Sequence, residues 1–96
     1  MKHYLLIYQY VEDYLEKRTP YRPDHFTLAK EAVAAGYLLL GGATENPADQ
    51  GILIFKVSDK SIIEDFISRD PYVQNGIVSS WEVKEWNVVV GSMLEV

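Results

Sequence analysis

The sequence predicts an α+β domain in which a four-stranded antiparallel sheet carries two helices on one face. Four runs rich in branched and aromatic residues are typical of strands; they occupy residues 2–10, 37–43, 52–57 and 78–90. Apolar residues at helical spacing follow the first and third runs. The resulting order, β-α-β-β-α-β, is the ferredoxin-like arrangement. Right-handed crossovers place both helices on the same side of the sheet.

The first strand leads into a polar stretch with room for one short helical turn, and then into the first predicted helix. Pro23 suits the first turn of a helix, because its missing N–H needs no partner there. Gly36 is a C-terminal stop signal. Between Asp24 and Ala35 apolar side chains repeat at helical spacing, at Phe26, Ala29 and Val33 together with Leu28 and Ala32.

The second predicted helix lies between the third and fourth strands. Ser58 or Ser61 is expected to cap it, since Ser61 stands three residues before Glu64, as in a capping box. Asp70-Pro71 ends the helix, because the residue before a proline is pushed out of the α region. Its apolar stripe consists of Ile62, Ile63, Phe66 and Ile67.

Both faces of the predicted sheet are apolar. In the first strand Leu5 and Ile7 lie on one side, and Tyr4, Leu6 and Tyr8 lie on the other. Two helices cover only one face, and an exposed apolar patch of this size is unusual in a monomer. Twofold dimers are the commonest oligomers. We therefore expect a homodimer that pairs through the open sheet face.

Length and composition indicate a single domain that binds neither nucleic acid nor a membrane. The 96 residues fit one domain, expected over residues 1–96. Nine basic against 14 acidic residues give a net charge of −5, which disfavours binding to nucleic acid or to an anionic membrane. No apolar run approaches the ~20 residues of a membrane helix. The N-terminus lacks the features of a signal peptide, so the expected location is cytoplasmic.

Several kinds of site are not expected. The sequence has no cysteine, which excludes disulfides and thiol chemistry. It has no phosphate-binding glycine loop, dinucleotide fingerprint or paired-histidine spacing. His3 and His25 fall at opposite ends of the predicted fold, so a metal site is not expected either. We predict a protein with neither a cofactor nor a metal.

Residues far apart in the sequence converge at one rim of the predicted sheet. The end of the first strand, the start of the first helix, the end of the second strand and the end of the second helix all meet there. The rim carries Tyr8, Tyr10, Arg22, His25, Gly41, Gly42, Glu45, Asp70 and Tyr72. This convergence is the main indication of a functional site.

His25 and Asp70 are the candidate catalytic pair. The positive end of a helix dipole disfavours a charged imidazole, and a neutral imidazole can accept a proton as a general base. Asp70 would hold one ring N–H and set the tautomer. Arg22 would pair with a substrate carboxylate or phenolate, or with Asp70 itself.

Each candidate residue also has a purely structural interpretation. A histidine near a helix start is commonly a partly exposed polar residue, and Asp-Pro is a common helix stop. Tyrosines such as Tyr8 and Tyr72 more often belong to a core or an interface. Gly42 with Gly41 can simply permit a bulge or a close approach of the backbone.

The segments "YRPDH", "GYLLLGGA" and "RDPYVQNGIV", in this order, resemble the YCII-related (YciI-like) family over nearly the whole chain. The resemblance implies a ferredoxin-like fold that dimerises through its sheets, within the dimeric α/β-barrel group. It also implies that His25 and Asp70 are the catalytic pair in a cleft. Family members with an assigned activity act on small ring compounds by proton transfer or elimination without a cofactor. The segment "ATENPADQG" departs from the family's usual glycine–proline continuation.

Two functions follow as hypotheses. The first is a cofactor-independent lyase or isomerase that acts on a small aromatic or lactone-like substrate. In it His25 is the general base or acid and Asp70 orients it; the substrate-binding residues are Arg22, Tyr72, Tyr8 and Gly42. The second is a non-catalytic dimer that uses the same cleft to bind a small ligand or a protein partner.

Overall fold

Four strands and two main helices form in the predicted order in the computed structural model, which describes residues 1–93. The strands are β1 (Lys2–Tyr10), β2 (Leu38–Ala43), β3 (Gln50–Val57) and β4 (Val78–Trp86). The helices are α1 (Tyr14–Lys17), α2 (Arg22–Ala34), α3 (Ser61–Arg69) and α4 (Pro71–Gln74), and a 3-10 turn at Thr19–Tyr21 precedes α2. The sheet order is β2-β3-β1-β4, with every neighbouring pair antiparallel. The ferredoxin-like prediction is confirmed.

The core lies between the sheet and the two long helices. Alternate side chains of β1 and β3 point into it; these are Tyr4, Leu6, Tyr8, Leu53, Phe55 and Val57. From α3 the core receives Ile63, Phe66 and Ile67, as the apolar stripe predicted. The rings of Phe55 and Phe66 meet edge to face at 5.3 Å. Each such side chain contributes about 1.5–3 kcal/mol when fully buried.

Only some of the apolar residues of α2 are buried. Leu28 and Ala32 are buried, whereas Phe26 is 42% and Val33 is 56% exposed. Apolar residues of α2 lie on more than one side of the helix, so their spacing in the sequence does not determine which side faces the core. The observed rotation places His25 on the same side as Leu28 and Ala32, in line with the i, i+3 and i+4 geometry of a helix. Phe26 and Val33, which share in the predicted helical spacing, therefore lie outside the core.

Both ends of α3 depend on an aspartate. Neither Ser58 nor Ser61 caps it through a side chain; instead Asp59 Oδ1 accepts a hydrogen bond from the Ser61 backbone N–H at 2.9 Å. That bond lowers the pKa of Asp59. Asp70 ends α3 with an extended ψ of 119°, as expected before a proline. Asp70 then caps α4, a helix that the sequence did not predict.

The last strand is shorter than predicted. It ends at Trp86, so residues 87–90 lie outside the sheet. Within the part of the chain that the structure describes, no helix is long and apolar enough to cross a membrane.

The face of the sheet opposite α2 and α3 carries the second apolar set. Cross-strand pairing aligns Leu5 with Ile54 and Ile7 with Ile52 on this face, and Leu40 beside them is 62% exposed. The two-sided pattern predicted from the sequence is therefore present. A second copy on this face stays a prediction.

Candidate active site

The imidazole of His25 and the carboxylate of Asp70 lie in direct contact, although 45 positions separate them. His25 Nδ1 is 2.8 Å from Asp70 Oδ1. His25 is in the first turn of α2, on the face that packs toward the core. Asp70 occupies the break between α3 and α4, where Pro71 prevents the helix from continuing. The topology thus brings the two predicted catalytic residues together.

Asp70 is fully buried and accepts three hydrogen bonds. Oδ1 accepts from His25 and from the backbone N–H of Tyr72 at 3.0 Å, and Oδ2 accepts from the Tyr8 hydroxyl at 2.9 Å. Burying a carboxylate is costly unless donors compensate for the lost water, and three donors do so here. Among residues 1–93, no buried polar side-chain atom lacks a partner.

These contacts set the tautomer of His25. A carboxylate ion can only accept hydrogen bonds, so the proton of the His25–Asp70 bond resides on Nδ1. In the neutral ring Nε2 is then the proton acceptor. The ring of Tyr72 stacks on the imidazole at 3.9 Å with a 6° interplanar angle. The imidazole is therefore held in one plane with a basic nitrogen directed away from Asp70.

Tyr8 and Tyr72 support the pair from inside the protein. Tyr8 is completely buried, and its hydroxyl donates to Asp70. Burial, together with the nearby carboxylate, raises the pKa of Tyr8, so the phenol stays a neutral donor. Tyr72 is only 2% exposed. Both were predicted to bind substrate, and this stays a prediction; in the structure Tyr8 contacts Asp70 and Tyr72 stacks on His25.

Two further tyrosines extend this cluster. Tyr10 and Tyr14 stack at 3.7 Å with an 8° interplanar angle, and both meet Tyr72 edge to face. Burial raises the pKa of Tyr10, and it raises the pKa of Tyr72 to about 12. Through Tyr72, this cluster of rings is in contact with the imidazole of His25.

Alkaline pH is expected to destabilise the fold through these tyrosines. Unfolded tyrosines ionise near pH 10.0, whereas folded Tyr72 keeps its proton up to a pH of about 12. The stabilisation is therefore complete below pH 10 and is lost as the pH rises through 12. Urea unfolding at about pH 8 and pH 11 measures the loss, and Tyr72→Phe should show less of it. Equal unfolding free energies at both pH values would contradict this account.

Tyr10 depends on a glycine of β3. A Cβ at Gly51 would collide with the Tyr10 hydroxyl and lie 2.8 Å from its Cζ. Gly51→Ala is expected to displace Tyr10 from its stack on Tyr14 and to cost about 1–3 kcal/mol of unfolding free energy. Gly42→Ala is the matched control, because nothing lies within 4 Å of the added Cβ. Urea denaturation compares them, and equal losses would show that the Tyr10 contact is unimportant.

A cleft of ≈ 480 Å³ lies between the start of α2 and the loop that joins β2 to β3. Its lining comprises Leu15, Arg18, Arg22, Ala43, Thr44, Glu45, Asn46, Pro47 and Ala48. Arg22 lies in this cleft. Its guanidinium carbon is 4.9 Å from the ring centre of Phe26, so the alternative of a pair with Asp70 is not what the structure has. His25 lies one turn further along α2 than Arg22 and is not among the residues that line the cleft. It keeps 14% of its side chain exposed.

Gly42 lies away from the predicted site, whereas Arg18 lies in the cleft without having been predicted there. Gly42 pairs with Ile52, whose side chain lies on the open sheet face, so the structure does not bring Gly42 to the His25–Asp70 pair. Arg18 lines the cleft but was missed from the sequence. Its spacing of four residues from Arg22 was the available signal. Within residues 1–93 no group of three His, Asp or Glu side chains could hold a metal ion.

Known proteins share this sequence pattern and fold. The model of the YCII-related domain matches residues 1–87. An uncharacterised protein of Haemophilus influenzae is 28% identical over 96 residues, covering 91% of this chain and 98% of that protein. The fold is similar to that of 5-chloro-2-hydroxyhydroquinone dehydrochlorinase from Burkholderia phenoliruptrix, solved in complex with 2,5-dihydroxybenzoquinone. The TM-score is 0.75 at 17% identity, over 88% of this chain and 93% of the other.

Proposed function

Because the chain belongs to the YCII-related family, we propose that it is a cofactor-independent enzyme of the lyase or isomerase type. The observation that carries this proposal is the 2.8 Å contact between His25 Nδ1 and the fully buried Asp70. It leaves Nε2 of a neutral imidazole free to accept a proton. The general base is His25, and Asp70 orients it.

Proton transfer would proceed at His25 Nε2. In an elimination, Nε2 takes a proton from a substrate O–H or C–H bond, and that bond's electron pair forms the new double bond. The leaving group departs with its own bonding pair. Asp70 stabilises the imidazolium that forms without becoming protonated itself. In an isomerisation, the same nitrogen returns the proton to another atom of the substrate.

The substrate class follows from the size of the cleft and from the structural neighbour. A volume of ≈ 480 Å³ is within the usual range for small-molecule sites. The neighbour is a dehydrochlorinase solved with a dihydroxybenzoquinone. A small hydroxylated ring compound is therefore the first substrate to test.

The direct test is turnover of 5-chloro-2-hydroxyhydroquinone and related chlorinated hydroxybenzenes, with chloride release and ring absorbance followed together. The proposal expects release in proportion to protein concentration. Release by His25→Ala at the wild-type rate would contradict it. Lys17→Gln is a suitable control, because Lys17 is exposed and lies outside the cleft lining.

A non-catalytic binding module is the second candidate. One observation favours it: the lining of the cleft includes Arg18 and Arg22 but not His25. Saturable binding of ring compounds with no turnover of any of them would support this alternative.

The active unit is proposed to be a homodimer. Ile54 lies near the middle of the open sheet face, paired with Leu5 and Leu40 on the neighbouring strands. Ile54→Lys is expected to convert the dimer to a monomer, because it places a charge in an apolar interface. Val33→Lys, on the exposed side of α2, should stay dimeric. Light scattering at a protein concentration of about 100 μM, which would detect even a dimer with a micromolar Kd, measures the oligomeric state of each variant. A monomeric wild type at this concentration would refute the proposed homodimer.

A further inference from the structure

Two of the chain's three arginines lie in the same cleft. Arg18 follows α1 directly, and Arg22 is the first residue of α2, so the short 3-10 turn between them places both on the helical wall. Burial raises the pKa of Tyr72, and the positive charges of Arg18 and Arg22 partly oppose that rise. Arg18 also contacts Tyr14, whose ring meets that of Tyr72 edge to face at 6.1 Å.

Neither of these arginines forms an ion pair with a carboxylate within residues 1–93, whereas Arg69 contacts Glu31 at 3.3 Å and Asp65 at 3.5 Å. The contrast is informative because the protein is acidic, with a net charge of −5. Carboxylates are abundant, yet among the described residues neither of these two cations has one as a partner.

Aromatic rings hold the two guanidinium groups instead. Arg18 lies 5.0 Å from the ring centre of Tyr14 and donates one hydrogen bond to its hydroxyl at 3.1 Å. Arg22 lies 4.9 Å from the ring centre of Phe26. A guanidinium that lies over an aromatic face keeps N–H donors in its own plane for another partner. Such donors match the geometry of a carboxylate.

We propose that the cleft binds a small ring compound through one carboxylate or phenolate group, which Arg18 and Arg22 hold together. This inference rests on the proposed function for its choice of cleft, and it narrows the substrate to an anion. Glu45 is the acidic residue in the lining; it disfavours a second negative charge on the ligand. A neutral lactone lacks the group that these arginines would hold.

Benzoate and benzamide form the test pair, because they have nearly the same shape and differ in charge. Their affinities are measured by titration with NMR detection of backbone and arginine Nε–H signals. Benzoate is expected to bind at least about ten-fold tighter than benzamide, since charge-assisted hydrogen bonds are roughly twice as strong as neutral ones and ten-fold corresponds to one such increment. Arg18→Gln and Arg22→Gln should each remove about ten-fold of the benzoate affinity.

Two variants control for general charge effects. Lys17→Gln changes the net charge equally but lies outside the cleft lining, so benzoate affinity should stay within about two-fold at physiological salt. Glu45→Gln should tighten benzoate binding. Equal affinity for benzoate and benzamide, or a loss in Lys17→Gln as large as in Arg22→Gln, would overturn the inference.

The outcome is separable from that of the proposed function. Arginine-dependent benzoate binding, combined with turnover that survives His25→Ala, would uphold the anion site and refute the catalytic proposal. Turnover that requires His25, combined with no preference for benzoate, would do the reverse.

Discussion

Replacing Asp70 with alanine is expected to lower the free energy of unfolding by about 3–5 kcal/mol. The carboxylate is fully buried and accepts from His25, from the Tyr72 N–H and from the Tyr8 hydroxyl. Removing it leaves those donors without an acceptor, and unpaired buried donors are costly. Because a typical domain is stable by only about 5–15 kcal/mol, the loss is large. Urea denaturation followed by circular dichroism measures it.

Two smaller changes to the same network make this prediction testable even if Asp70→Ala fails to fold. Asp70→Asn keeps the shape and one acceptor oxygen, so its loss should be smaller. Tyr8→Phe removes a single donor to a charged group and should cost about 1.5–3 kcal/mol. If Asp70→Ala unfolds within about 1 kcal/mol of the wild type, the three-donor network does not stabilise the fold.

Replacing His25 with alanine is expected to lower kcat by about 10²–10⁴-fold on whichever ring substrate the wild type converts. The reason is that the substitution removes the proton acceptor, whereas Arg18 and Arg22, which would hold the substrate, stay in place. KM should therefore change much less than kcat. Steady-state kinetics separate the two, and benzoate titration checks that the cleft is undamaged. An unchanged kcat would exclude His25 as the general base.

The strands could be predicted because their signal is local. Period-2 alternation divides the side chains of β1 and β3 into two sets, and the register between these strands keeps each set on one face of the sheet. The rotation of α2 could not be predicted in this way, because apolar residues lie on several of its sides. The apolar spacing within α2 therefore did not show that the side chain of His25 faces Asp70.

The meeting of His25 and Asp70 was predictable from topology, since chain direction sends both residues to one rim. The face on which Gly42 lies was not. The pairing of β2 with β3 shifts register between Leu38 and Leu40, and a one-residue shift moves every later side chain to the opposite face. Gly41 therefore packs against Leu53 on the helix side, and Gly42 faces the open side.

The supporting residues were the hardest to predict from the sequence. The sequence did not indicate that the hydroxyl of Tyr8 donates to Asp70. Arg18 precedes a 3-10 turn whose path no apolar periodicity describes. The Tyr10 side chain of β1 packs on Gly51 of β3. This contact depends on the rotamer of Tyr10, which the sequence does not indicate.

Asp70 is expected to keep the proton of the neutral His25 ring on Nδ1, which leaves Nε2 as the base. Nitrogen-15 NMR of the imidazole ring at alkaline pH, with the ring neutral, measures this directly. We expect one dominant tautomer in the wild type, with a protonated Nδ1 and an unprotonated Nε2, and a mixture of tautomers in Asp70→Ala. His3 provides an internal reference in the same spectrum. A wild-type spectrum in which Nε2 carries the proton would contradict the account.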